Sequence, residues 1–168
     1  MTIQATGIGG PSAALVLADL AELGVRRIVR VGTCLGSAKR SLGEMVLVGS
    51  AIAAGGSAAS FGIEVGETVA PDTGLTERVA GALAGDARPG AIASVDAHPD
   101  ERALLAGDAA AADMQTAPLL AQARSLGIEA AAILIVTEKA DGEKSLKTDA
   151  LEAAEKRAGR AASAALSA

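Results

Sequence analysis

The stretch from Thr6 to Leu35, TGIGGPSAALVLADLAELGVRRIVRVGTCL, constrains the fold more than any other. Gly7, Gly9 and Gly10 permit positive φ and the close approach of a ligand. Pro11 suits a first helical turn, and Ser12 beside it can satisfy free amides. Leu15, Ala18, Leu20 and Leu23 recur at helical spacing with Asp19 and Glu22 between them, and Gly24 stops the helix. Val25 to Val31 then reads as a β-branched strand interrupted by arginines. With Ile3 to Thr6 as a short leading strand, the unit is βαβ, which makes the two strands parallel. Ligands of open α/β sheets gather at strand carboxyl ends, and that is where Arg30 and Thr33 fall.

An arginine, a glycine and a hydroxyl at a strand end suit an anion. The guanidinium of Arg30 offers a planar fork of donors, Gly32 lets backbone amides turn towards the same oxygens, and Thr33 adds a hydroxyl. The competing reading is that Arg26, Arg27 and Arg30 are solvated charges. A dinucleotide-binding turn on Gly7-Ile8-Gly9-Gly10-Pro11-Ser12 is a further alternative. It lacks the last glycine of the fingerprint and a ribose-binding acid on the next strand, where Arg30 stands.

Composition narrows the classes. The 168 residues fit one domain, 1–168, and half of them are apolar. Phe61 is the one aromatic residue, so the core must be thin and closely spaced. A net charge of −5 and a pI near 4.9 argue against nucleic acid as a partner. One cysteine, Cys34, excludes an internal disulfide and suits a reducing compartment, so a cytoplasmic location is expected. No apolar run approaches the length of a membrane span, and MTIQATGIGG does not read as a signal peptide.

Further along, Met45 to Val48 reads as a strand and Gly55 to Gly74 as a loop with short extended pieces. Asp72-Thr73 can cap a helix over Leu75 to Leu83. Ala91 to Val95 is a strand, followed by DAHPDER, Asp96 to Arg102. One histidine among carboxylates is a surface-loop pattern more than a metal site, so no metal is expected. Ala117 to Leu126 is a helix with Leu119, Leu120, Ala123 and Leu126 on its apolar face, and Gln115, two residues upstream, can cap it. Ala130 to Thr137 is the best candidate for a central buried parallel strand. A charged loop, Lys139 to Lys144, leads to a helix from Ser145 to Leu166. Its stripe of Ala150, Ala154, Ala158, Ala161 and Ala165 suits close packing on a sheet.

TGIGGPSAALVLADLAELGVRRIVRVGT resembles the corresponding segment of the nucleoside phosphorylase family, above all its uridine phosphorylase branch, with weaker similarity running to the C-terminus. The resemblance implies a three-layer α/β/α domain with a mostly parallel central sheet, and one that lacks the family's usual N-terminal part. It implies phosphorolysis of a purine or pyrimidine nucleoside to base and pentose 1-phosphate by a homo-oligomer, with inorganic phosphate as co-substrate and no cofactor. By this resemblance Arg30, Gly32 and Thr33 bind phosphate, and Met114, Gln115 and Thr33 bind the pentose. Cys34, Gly36 and Glu138 lie at the base, with Arg30 and Glu138 catalytic. Glu138 matches, with one more methylene, an aspartate by which purine-specific members protonate N7 of the base. A carboxyl group in a partly buried pocket can act as such an acid.

Several positions depart from the family pattern. Ala97 stands where a phenylalanine stacks on the base, and Gln115 where a glutamate accepts the sugar hydroxyls. Leu35 stands where a glycine lies beside the base, with Gly36 one place on. Glu101 and Arg102 do not reproduce the uracil-reading pair. The alternative is therefore a catalytically impaired family remnant that binds a ligand or assembles.

Overall fold

The computed structural model describes residues 1–140 and 145–168, with the backbone alone for 101 and 105–107. The charged loop expected over Lys139 to Lys144 lies, from 141 onward, outside the described residues. The architecture is mixed α/β, a central sheet with helices packed on it. Helix α1 spans Gly10–Glu22, α2 Thr73–Leu83, α3 Thr116–Ser125 and α4 Thr148–Ser167. The strands are β1 Arg27–Gly36, β2 Met45–Ala53, β3 Thr68–Val69, β4 Ala87–Ser94, β5 Ala111–Asp113 and β6 Glu129–Lys139.

The leading strand expected at Ile3 to Thr6 does not form. Residues 1–9 carry no strand, although β1 pairs along its length with β6 on one edge and only at Leu35 and Gly36 with β5 on the other. Strand β1 also runs past the expected end at Val31 to Gly36, so Arg30 and Thr33 lie inside it rather than beyond it. Strand β2 outlasts its expected end at Val48 because Gly49 is absorbed as a register shift between Val48 and Ser50.

The strand order is β3-β2-β4-β5-β1-β6, and β6 pairs again with β2, so five strands form a closed ring. The Gly49 irregularity splits the work of one β2 edge: Met45 to Leu47 pair with β6, and Ala51 and Ile52 pair with β3. Pairings β1–β6, β2–β4 and β4–β5 are parallel; β1–β5, β2–β6 and β2–β3 are antiparallel. Strand β6 is the expected buried strand, parallel to β1 but antiparallel to β2.

The alternation of β6 divides the core. Ala131, Ile133 and Ile135 pack with Leu75 and Val79 of α2 and with Ala154, Ala158, Ala161 and Ala165 of α4. Ala132, Leu134 and Val136 pack with Ala13 and Leu17 of α1 and Leu119 and Leu120 of α3. The stripe on α4 is as expected except at Ala150, which is exposed. On α1 the buried face is Gly10, Ala13, Ala14 and Leu17, whereas Leu15 and Leu23 are 71% and 81% exposed. The small face wins because it lets α1 approach α3 closely. A Cβ on Gly10 would come within 2.5 Å of Pro118. Helix α3 is buried from Thr116 to Ala123, with Leu126 beyond its end and half-exposed. Asp72 caps α2 as expected, its Oδ1 accepting from the Leu75 amide at 2.7 Å.

Between β1 and β2, Arg40 Nη1 donates to Glu44 Oε1 at 2.6 Å and Arg40 Nη2 to the Pro89 carbonyl at 3.0 Å. The Ser41 amide donates to Glu44 Oε2 at 3.1 Å. Burial pushes the Glu44 carboxyl up, but these bonds and the nearby guanidinium outweigh it and hold it below its ordinary value of 4.5. Its contribution to stability is therefore present above that value and is lost as pH falls through the lower folded one. Glu44→Gln is expected to flatten the acid limb of stability against pH, measured by urea unfolding between about pH 6 and pH 3. Ile133 and Leu134, both fully buried on opposite faces of β6, are each expected to cost about 2–5 kcal/mol on substitution by alanine in the same assay.

Candidate active site

The arrangement begins with Asp113, at the end of β5, whose side chain is 1% exposed. Its Oδ1 accepts from Ser94 Oγ at 2.6 Å. Its Oδ2 accepts from Thr116 Oγ1 at 2.6 Å, the Thr116 amide at 3.0 Å and Arg30 Nη2 at 3.0 Å. Ser94 Oγ in turn accepts from the Ala117 amide at 2.8 Å. The first amides of α3 are thus satisfied by β4 and β5, and one carboxylate joins β1, β4, β5 and α3.

Arg30 is not a solvated charge. Its side chain is 11% exposed, and its Nε also donates to Thr116 Oγ1 at 3.3 Å. The guanidinium folds along β1 over Gly32, where an added Cβ would lie 2.6–2.7 Å from it. Gly32 therefore makes room for the arginine, a role that its spacing alone does not reveal. Nη1 of Arg30 makes no hydrogen bond among the described residues, which leaves one edge of the fork for an anion.

Thr33 is exposed and three residues from Arg30. Strand alternation sends the two side chains to opposite faces, Ile28 and Cys34 belonging to one core cluster and Val29 and Val31 to the other. Met114 is half-buried between Asp113 and Gln115. Gln115 occupies the N-cap position of α3 but makes no side-chain cap there. It reaches instead to the glycine turn, where Nε2 donates to the Gly7 carbonyl at 2.7 Å and the Gly9 carbonyl at 3.4 Å. Its Oε1 accepts from Thr6 Oγ1 at 3.2 Å. Gly7 and Gly9 have φ of 69° and 85°. Ser12 does not cap α1 either, since its Oγ donates to the Thr6 carbonyl at 2.5 Å. A glutamate at 115 could not donate to these carbonyls, so the amide suits the turn it holds.

Cys34 is buried, and burial together with the Asp113 carboxylate pushes its thiol far up, so it stays protonated. Gly36 is buried against Val136 and Arg40. Glu138, at the end of β6 and paired in register with Leu35, has a side chain 46% exposed. Opposite it stands His98, Nε2 lying 3.9 Å from Glu138 Oε2. Sequence reasoning left His98 as a loop residue; no local signal ties it to a position forty residues on.

The rest of DAHPDER is held internally. Asp96 accepts from the Gly56 and Ser57 amides at 2.6 and 3.2 Å, and Asp100 pairs with Arg102 at 2.6 Å. Among the described residues no group of three or more His, Cys, Asp or Glu is placed to hold a metal ion. An open cleft of about 530 Å³ is lined by Ile52, Ala53, Val95, Ala97, His98 and their neighbours. Arg30, Thr33, Met114, Gln115 and Glu138 are not among its lining residues.

Asp113→Asn keeps the shape but removes the charge that faces Arg30. It is expected to cost about 3–5 kcal/mol in denaturant unfolding, because an unpaired guanidinium is left buried. Thr33→Ala, at an exposed hydroxyl, is expected to stay within about 0.5 kcal/mol.

Among described residues no helix is long and apolar enough to cross a membrane. The chain is 33% identical over 144 residues to a guanosine phosphorylase of Halorubrum lacusprofundi, a match covering 81% of this chain and 60% of that protein. The chain thus spans about three-fifths of the length of this relative. The sequence pattern of the phosphorylase superfamily matches residues 1–168, from end to end. By that match over its whole given length, the chain belongs to the phosphorylase superfamily.

Proposed function

We propose that the chain carries out phosphorolysis of a nucleoside, moving the pentosyl group from a base to inorganic phosphate without metal or organic cofactor. The observation that carries this reading is the fixed guanidinium of Arg30 on the same strand pair as Glu138. The guanidinium lies over Gly32, which pairs with Leu134. Glu138 is four residues further along β6, about 13 Å at about 3.3 Å per residue. That span matches a phosphate at one end and a base at the other, with the sugar between.

In this reading Arg30 holds phosphate through Nη1, with Gly32 beneath it and Thr33 supplying backbone contacts. Met114 packs under the pentose, and Gln115 meets its hydroxyls. Cys34 and Gly36 border the base through their backbone, their surroundings being closed to side-chain contact. Glu138 protonates the leaving base. Rate enhancement comes from positioning phosphate below the anomeric carbon and from charge stabilisation. The name of the guanosine phosphorylase relative supports a purine nucleoside as the substrate class. A three-layer, mostly parallel arrangement, homo-oligomerisation and a cytoplasmic location complete the proposal.

One observation favours a second reading, a ligand-binding remnant: the Gln115 amide is already engaged at both ends by the glycine turn. One experiment separates the two. Purified protein is assayed for base release from guanosine, inosine and uridine with and without phosphate, beside Arg30→Gln, which retains a donor towards Asp113. Phosphate-dependent cleavage reduced at least about 10²-fold by Arg30→Gln is expected. Absence of phosphate-dependent cleavage in folded protein would leave only the remnant reading.

A further inference from the structure

His98 is the chain's single histidine. It follows β4, whereas Glu138 ends β6, and β5 and β1 lie between these strands in the sheet. The loop after β4 nevertheless brings the imidazole to Glu138. Its Nδ1 lies 3.2 Å from the Pro99 carbonyl, an oxygen that can only accept, so Nδ1 carries a proton. The other nitrogen, Nε2, faces the carboxylate at 3.9 Å. Nε2 thus faces the carboxylate at ion-pair distance, longer than a direct hydrogen bond.

The neighbouring charges leave Glu138 as the acidic partner. On the loop of His98, Asp100 is bound by Arg102, and Asp96 is bound by the Gly56 and Ser57 amides and the Ser57 hydroxyl. On β6 the adjoining charged residue is Lys139, which has an interaction of its own. Glu138 is half open to water, and His98 is the proton-bearing group that faces it.

We infer that His98 is a positioning residue that orients Glu138 and supplies the proton it delivers to N7 of a purine. The inference rests on the phosphorylase reading above. The C1′–N9 bond breaks as a phosphate oxygen bonds to C1′. The N9 electron pair moves into the purine ring, and N7 takes a proton that passes from Nε2 of His98 through the Glu138 carboxyl group. His98, with a side chain 78% exposed, takes a proton back from water. The base leaves neutral, and no oxidant or reductant is involved.

The test compares His98→Asn with the parent protein on guanosine and on 7-methylguanosine. The latter already carries the positive charge on its imidazole ring and needs no proton at N7. A loss in kcat/KM of at least about tenfold on guanosine is expected. On 7-methylguanosine a change within about twofold is expected. A merely structural role would lower both alike, and that result, or no loss on either, overturns the inference. If the parent cleaves neither substrate with phosphate, the phosphorylase reading falls and takes this inference with it.

The pairing itself is read without turnover. With one histidine, the imidazole Cε1–H signal in the proton NMR spectrum needs no assignment. Glu138→Gln is expected to move it at fixed pH, and an unmoved signal overturns the pairing whatever the activity.

Discussion

The carboxylate of Asp113 is the point on which the site depends. It is almost wholly buried, and the donors around it come from β1, β4 and α3. A buried charge of this kind is costly unless every lone pair is used. Here Ser94, Thr116 and Arg30 use them, and the consequence is geometric. Arg30 is held in one direction along its strand, α3 begins at a fixed place, and β5, only three residues long, is locked beside β1. The ion pair adds position more than net energy, since its Coulomb gain offsets desolvation.

The alanine-rich core serves the same end. With one aromatic residue, the molecule cannot fill wide gaps, and its layers come close. Alanines on α4 meet β6 on one face, and the small face of α1 meets α3 on the other. Close approach of α1 to α3 brings the glycine turn within reach of Gln115. That side chain then donates through its amide to two carbonyls of the turn.

At the other end of the strand pair, the closed ring of strands decides who meets whom. The loop after β4 and the end of β6 are distant in sequence, and these two strands run in opposite directions in the ring, yet the loop carries His98 to within 3.9 Å of Glu138. His98 and Glu138 face each other there as a result. This gives the strand-end glutamate a titratable neighbour that the local sequence of neither residue announces.

Much of the framework is legible in the sequence. The apolar run at Ala130–Thr137, the Asp72 cap and the alanine stripe on the last helix each carry a local physical signal: a short β-branched run, a side-chain acceptor before free amides, and a small-residue period. So does the glycine turn leading to a helix. The failures share a cause. The leading strand at Ile3 to Thr6 has suitable residues but pairs with no strand; its end, Thr6, is tied instead by the side chains of Gln115 and Ser12. Leu15 and Leu23 have helical spacing, but the small face of α1 is buried because α3 lies so near. For the site, the sequence determined which groups are available: one arginine and one glutamate on adjacent strands, a glycine between the arginine and its hydroxyl neighbour, and a single histidine. Tertiary structure alone decided that Arg30 bends over Gly32 to Asp113, that Thr33 faces away from it, that Gln115 holds the glycine turn, and that His98 stands against Glu138. These are contacts between residues far apart in the chain, fixed by sheet closure and burial, and no local periodicity encodes them.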